Sequence, residues 1–181
     1  MITIGFLELN SIAKGILAAD EMIKTADIRL IAARPSCPGK YQILITGEVS
    51  SVEAALDAGQ AAASANVIDR LILPRVHPQV IEAISMSSMP ERLRALGVME
   101  FFSVTSAVMA ADAAAKAADV TLLEIRMGTG IGGKSFVTLT GDVSAVTASV
   151  EAGCKSAEAS GMLLDRVVIA HPDRDLYKHL L

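Results

Sequence analysis

Cys37 is the side chain in this sequence whose type and setting point most directly to chemistry. It stands in the run Pro35-Ser36-Cys37-Pro38-Gly39-Lys40, where the flanking prolines fix their own φ and restrain the thiol between them. A thiolate is a soft ligand, suited to iron–sulfur chemistry rather than to magnesium or calcium. One thiol cannot hold an iron–sulfur cluster, which takes several thiolates. A metal role therefore requires chains to meet, and a threefold axis would bring three copies of Cys37 to one point. The other reading is an ordinary loop cysteine, since a single Cys is a weak motif. The second cysteine, Cys154, falls on a helical stretch and reads as a small buried thiol.

The remaining motifs carry less chemistry. Gly128-Thr129-Gly130-Ile131-Gly132-Gly133 satisfies G-x-G-x-x-G. In a dinucleotide site that loop opens a helix whose N-terminus holds the pyrophosphate. Here the chain continues from Ser135 to Leu139 as a strand, so the glycines read better as small turns lining a narrow opening, where backbones approach closely. Asp20/Lys24 and Asp112/Lys116 stand at i,i+4 spacing. They are either exposed helix pairs of about 0.3–0.5 kcal/mol each or residues on edges where subunits meet. His77-Pro78 and His171-Pro172 read as surface or interface histidines, because the chain lacks the close His/Cys spacing of a metal site. No Ser/His/Asp set, H-E-x-x-H or carboxylate-pair signature is present, so no enzymatic turnover is expected.

Composition narrows the partners. A net charge of −4 without clustered Lys or Arg, and 3% aromatic residues without Trp, argue against nucleic acid. The chain is 52% hydrophobic with a mean hydropathy of +0.48. Yet no run reaches the ~18 uncharged apolar residues of a membrane span, because Asp20, Lys24, Asp112 and Lys116 interrupt the best candidates. The excess apolar surface is expected between subunits. Met1-Ile2-Thr3 leads straight into a strand pattern without a secretory signal, and two cysteines make no disulfide framework, so the expected setting is the cytoplasm.

The elements that would position these residues come twice. Ile4-Gly5-Phe6-Leu7-Glu8 returns as Leu96-Gly97-Val98-Met99-Glu100, and Ala18-Ala19-Asp20 as Ala110-Ala111-Asp112, at a shift of 92. After a two-residue insertion, Gly39-Lys40 matches Gly133-Lys134, and Gly47-Glu48-Val49-Ser50 matches Gly141-Asp142-Val143-Ser144. Two fused copies of one domain follow, each of about 90 residues. Within the first, Thr3–Leu9 reads as a strand, and Ser11–Thr25 as a helix with Ile12, Ile16, Ala19 and Ile23 on one face. Ile28–Ala33 and Tyr41–Thr46 read as strands around the Pro/Gly loop that holds Cys37. Ser50-Ser51-Val52-Glu53 has the form of a capping box opening a second helix to about Ala65, and Val67–Leu73 reads as a fourth strand. The order β-α-β-β-α-β is the ferredoxin-like split βαβ unit, an α/β (α+β) fold, and it repeats from Leu96 to Ala170. The domains are read as 1–84 and 95–181, with a linker over 85–94 and a short tail from Asp173.

Each copy resembles the bacterial microcompartment shell (BMC) domain: a G-x-x-E strand, an A-A-D-x-x-x-K-x-A-D helix, a G-K loop, and G-[ED]-V-S-x-V opening the second helix. Two copies in one chain resemble the tandem-domain class, which implies a homotrimer forming a flat pseudohexamer that tiles with hexameric shell proteins. Ser11-Ile12-Ala13-Lys14-Gly15, Cys37-Pro38-Gly39-Lys40 and Gly130-Ile131-Gly132-Gly133-Lys134 are similar to the tandem subunit type of propanediol-utilisation shells. That resemblance implies a [4Fe–4S] cluster shared by three chains at the central axis, with Cys37 as the ligand, for electron transfer across the shell and with redox cargo enzymes as a further partner class. It also implies that Ser36, Pro38, Gly128, Thr129, Gly130, Ile131 and Gly132 line the central pore, and that Lys24, Arg75 and Lys116 lie at the tile edge. The alternatives are a plain tile whose pore passes small polar metabolites, and a trimeric ferredoxin-like regulator binding an effector between subunits.

Overall fold

The computed structural model describes residues 2–85, 94–177 and 179–180. They form two compact units, 1–76 and 77–181. Unit 1 runs β1 (Thr3–Leu9), α1 (Ile12–Thr25), β2 (Ile28–Ser36), β3 (Lys40–Gly47), α2 (Val49–Ala63), a 3₁₀ turn (Ser64–Asn66) and β4 (Val67–Leu73). Unit 2 opens with α3 (Pro78–Ile84) and then repeats the plan as β5 (Ala95–Phe101), α4 (Val104–Ala117), β6 (Val120–Met127), β7 (Ser135–Gly141), α5 (Val143–Ala159) and β8 (Leu163–Ile169), closing with α6 (Arg174–Tyr177). The sheets have the orders β2-β3-β1-β4 and β6-β7-β5-β8, antiparallel throughout. This is the ferredoxin-like topology expected from the element order.

The repeat extends to irregularities. A register shift falls between Leu30 and Ala32 on β2 and between Leu122 and Glu124 on β6; another falls at Glu8/Leu9 and at Glu100/Phe101. The central strand β1 is buried over its whole length, which explains why its pattern is a near-continuous apolar run rather than a clean alternation. Ser11 and Ser103 cap α1 and α4, accepting from the N–H groups of Lys14 at 3.3 Å and Ser106 at 3.1 Å, the bond a serine at this position supplies.

Two local expectations are corrected. The capping box at Ser50 does not form. The helix α2 starts at Val49, with Glu48 at the cap position and no side-chain bond, so Ser50 already lies inside the helix. On α1 the buried face is Gly15, Ala18, Ala19 and Met22, while Ile12, Ile16 and Ile23 are exposed. The reason is steric. A side chain at Gly15 would put its Cβ 2.4 Å from the Tyr41 ring, so α1 presses its small residues on the sheet and turns its isoleucines outward.

The helix α3 was not expected from the sequence. It buries Val80, Ala83 and Ile84 and lies against α4 and β6, so the segment read as the end of the first domain packs in unit 2. Of the linker expected over 85–94, residues 86–93 lie outside the described residues.

Candidate functional site: the hairpin tips

The first hairpin is tied down before its tip is reached. On β1, Glu8 faces Gln42 of β3. Its carboxylate accepts from Lys40 Nζ at 2.8 Å and from Gln42 Nε2 at 3.1 Å, and the Glu8 side chain is only 5% exposed. A buried carboxylate is tolerated when it is paired and hydrogen-bonded in this way. Lys40 in turn pairs with Ser36 across the hairpin. The strand β2 therefore runs three residues further than its apolar pattern indicates, and the loop shrinks to Cys37, Pro38 and Gly39.

The cysteine thus occupies the first position of a three-residue turn. The Cys37–Pro38 peptide is cis, and Gly39 has φ +74. A Cβ at Gly39 would meet nothing within 4 Å, so glycine is required there by backbone conformation and not by crowding. Cys37 is half-buried and its thiol is free. Ser36 beneath it is buried and its Oγ has no hydrogen-bond partner, while Pro38 is exposed.

The second hairpin keeps the anchor and changes the tip. Lys134 Nζ donates to Glu100 Oε1 at 2.6 Å, but the residue facing Glu100 is Phe136, and Glu100 is 34% exposed. Met127 pairs with Ser135, leaving a seven-residue loop, Gly128 to Lys134, in which Gly128, Gly130, Gly132 and Gly133 all have positive φ. Added Cβ atoms at Gly130 and Gly132 would meet open space. Within the chain, glycine at positions 130 and 132 is therefore required by backbone conformation. The loop joins two strands, as the sequence indicated, so the nucleotide reading of G-x-G-x-x-G has no helix to act through. Gly128 is buried, Ile131 half-buried, and Thr129, Gly130 and Gly132 are exposed. Beside this loop Glu124, fully buried, accepts from Arg126 Nε at 2.5 Å, and the Arg126 guanidinium lies 5.8 Å from the centre of the Phe136 ring. Sequence reasoning passed over Glu124, whose counterpart in the first copy is Ala32.

The other candidate residues lie on the helices and after β4. Lys24 and Asp20 form an exposed ion pair, whereas Lys116 pairs with a buried Asp112 at 2.5 Å. Arg75 is exposed, with φ +54. Cys154 is fully buried, and burial pushes its thiol pKa up, partly offset by Arg166. Among the described residues no three His, Cys, Asp or Glu side chains gather as a metal site within one chain, and no helix is long and apolar enough to cross a membrane.

Comparison with known proteins places this arrangement. The BMC domain model matches twice, over residues 3–76 and 95–172. The bacterial microcompartment shell protein PduT of Citrobacter freundii is 39% identical over 178 residues, covering 98% of this chain and 97% of that protein. The carboxysome assembly protein CcmO of Synechococcus elongatus is 33% identical over 177 residues, covering 90% of this chain and 62% of that protein. Among solved structures, a microcompartment protein from Desulfitobacterium hafniense superposes with a TM-score of 0.95 at 52% identity, covering 98% of this chain and 99% of that one. A fused permuted hexameric shell protein, at 20% identity and a TM-score of 0.64 over 87% of this chain and 82% of that one, shares the fold. With a BMC domain in each half and the Glu–Lys anchored hairpin in both, the chain belongs to the BMC-domain family of microcompartment shell proteins, as a structural member with two domains in tandem.

Proposed function

We propose that three chains close into a pseudohexameric tile of the shell, and that the three Cys37 thiolates meet at its axis to hold a [4Fe–4S] cluster that carries electrons across the wall. The observation that carries this reading is the Cys37 turn. A free, half-buried thiol is presented at the tip of a three-residue loop whose base is fastened by the Glu8–Lys40 ion pair. A ligand held in this way loses little freedom when metal arrives. The donor chemistry fits, because thiolates are the ligands of iron–sulfur clusters, and one chain supplies one of them, so the site exists only in the assembled ring. Three thiolates leave one iron without a protein ligand, and that iron would make the cluster sensitive to oxygen. When bound, the cluster supplies one-electron redox chemistry; the chain's own part is to place and restrain the thiols. The seven-residue glycine loop of the second copy carries no cysteine, so it borders the axis without competing for metal. Partner tiles are other shell proteins.

Anaerobic purification, followed by iron analysis per trimer and EPR, tests the reading. Wild type should carry iron and a cluster signal, Cys37→Ser should lose both while remaining trimeric, and Cys154→Ser should keep both. A cluster that survives Cys37→Ser, or an anaerobic wild type without iron, overturns it and leaves a tile whose axial opening passes small polar metabolites.

A further inference from the structure

The two copies part company after their last strand. In the first, β4 ends at Leu73, and Pro74-Arg75-Val76 lead to His77. Val76 is 5% exposed, and its N–H donates to the Ile2 carbonyl at 3.0 Å, so this connection runs back against the start of β1. In the second copy, register makes Ile169 the counterpart of Leu73, since it faces Leu96 as Leu73 faces Ile4. Ala170 alone then separates Ile169 from His171. Two residues are missing, and with them the buried valine.

At this place unit 2 has a cavity of about 340 Å³, whose lining includes Arg94, Ala95, Gly141, Asp142, His171 and Arg174. Small-molecule sites run from roughly 300 to 1,000 Å³. The charge has changed as well. Arg94 stands where the first copy has Ile2, and the shortened connection brings in His171 and Arg174. The corresponding corner of unit 1, around Gly47, is lined by Asp27, Arg29 and Glu48. Carboxylates therefore outnumber guanidiniums in the first copy, and the balance is reversed in the second. The carboxylate left in the cavity, Asp142, accepts from Arg94 at 2.9 Å, and the two side chains are 67% and 65% exposed. An ion pair so exposed contributes at most about 1 kcal/mol, so Arg94 is easily turned to another anion. The nearby Asp173 is engaged within its own segment, accepting from the Asp175 N–H at 2.8 Å.

We propose that this cavity of the second copy binds a phosphate group, free or carried as the monoester of a small metabolite. Guanidinium groups meet phosphate oxygens through paired N–H···O bonds, stronger than those between neutral groups. Two guanidiniums from different segments line the cavity, and the His171 imidazole adds a third donor. A phosphate monoester presents three terminal oxygens to these three side chains, whereas a carboxylate has two. The bound group would take the place of Asp142 as the acceptor for Arg94. The first copy lacks both the cavity's arginines and the deletion that opens it, so the site belongs to one copy alone.

Titration of the full-length protein with inorganic phosphate tests the site, followed by phosphorus NMR line broadening at constant ionic strength with chloride as the balancing anion. Wild type should bind saturably, one phosphate per chain. Arg94→Ile, which installs the residue of the first copy, and Arg174→Ala should each weaken binding about tenfold, the loss of a hydrogen bond to a charged group. Asp142→Asn should tighten it, because the competing carboxylate is gone, and Arg29→Ala in the corresponding corner of unit 1 should leave it unchanged. All four positions are at the surface, and an unchanged urea midpoint in each variant shows that the fold is kept. A parallel titration with glycerol phosphate separates the two sources: tighter binding of the ester assigns a metabolite's phosphate, and tighter binding of the inorganic ion assigns free phosphate. Failure of both ions to bind saturably, or binding that Arg94→Ile and Arg174→Ala leave unchanged, overturns the site.

Discussion

The two copies provide an internal control for the anchor beneath the cysteine. Glu8→Ala removes a carboxylate that is 5% exposed and strands two donors: Lys40, whose side chain is 24% exposed, and Gln42, which is 1% exposed. Breaking a fully buried ion pair from one side costs roughly 3–5 kcal/mol, and leaving a buried amide donor unsatisfied costs about 1–3 kcal/mol. Because Lys40 can turn toward water, the ion-pair part falls to about 2 kcal/mol, for a total of about 3–5 kcal/mol. Glu100→Ala is the same substitution at the equivalent position. There Glu100 is 34% exposed and Lys134 44% exposed, the facing residue is Phe136 rather than a second donor, and the loss should be at most about 1 kcal/mol. The assay is urea unfolding followed by circular dichroism, together with the rate at which Cys37 reacts with a disulfide reagent. Glu8→Ala should lower the midpoint well beyond Glu100→Ala and should speed the Cys37 reaction, because the loop has lost its tether. Equal losses in the two variants, or an unchanged thiol rate in Glu8→Ala, would refute the anchoring role.

Three further outcomes are expected. Gly153→Ala should cost about 1–3 kcal/mol of stability, since the new Cβ would lie 2.8 Å from the Ala110 backbone oxygen, which cannot swing aside; an unchanged urea midpoint would contradict the close α4–α5 approach. Lys24→Glu should leave the trimer intact but reduce its association into sheets in electron micrographs, because exposed edge charges steer assembly more than they hold folds; loss of the trimer would mean the residue has been misplaced. Burial raises the Cys154 thiol pKa, so above the usual thiol range, near about 8.5, the unfolded chain releases this proton before the folded one does. Stability should therefore decline as pH rises through that range, and Cys154→Ala should flatten the decline. An identical pH slope in the variant would rule out Cys154 as its source.

The order of elements within each repeat, the duplication and the position of the cysteine loop were legible in the residues, because each is written locally. Strand and helix periodicities occupy a few residues, turn residues mark their own loops, and a repeat is visible wherever the same side chains return at a fixed shift. The expected strand at Thr3–Leu9 and the expected strand-loop-strand around Cys37 rest on such signals and match β1 and the β2–β3 hairpin. The Glu8 and Lys40 letters were also visible as motif residues, but not that they touch. They are 32 positions apart, and only the pairing of β1 with β3 brings them together.

What the tertiary structure decided is which surface each element shows to the others. Both sides of α1 are apolar, so periodicity selected the isoleucine stripe, whereas packing selected Gly15, Ala18, Ala19 and Met22, because a helix can approach the Tyr41 ring only through small residues. The segment of α3 follows β4 after only four residues, and sequence adjacency placed it in the first domain. Its seat in unit 2 comes from the Gln79 amide finding an open strand edge at Val120 and Leu122 and from Asp112 accepting the His77 N–H. The difference between the two anchors has the same origin: Gln42 and Phe136 are ordinary strand residues in the sequence, and only cross-strand register puts an amide against Glu8 and an aromatic ring against Glu100. Local sequence determines what each segment becomes; long-range contacts, which depend on shape and on donors meeting acceptors, determine what it is for.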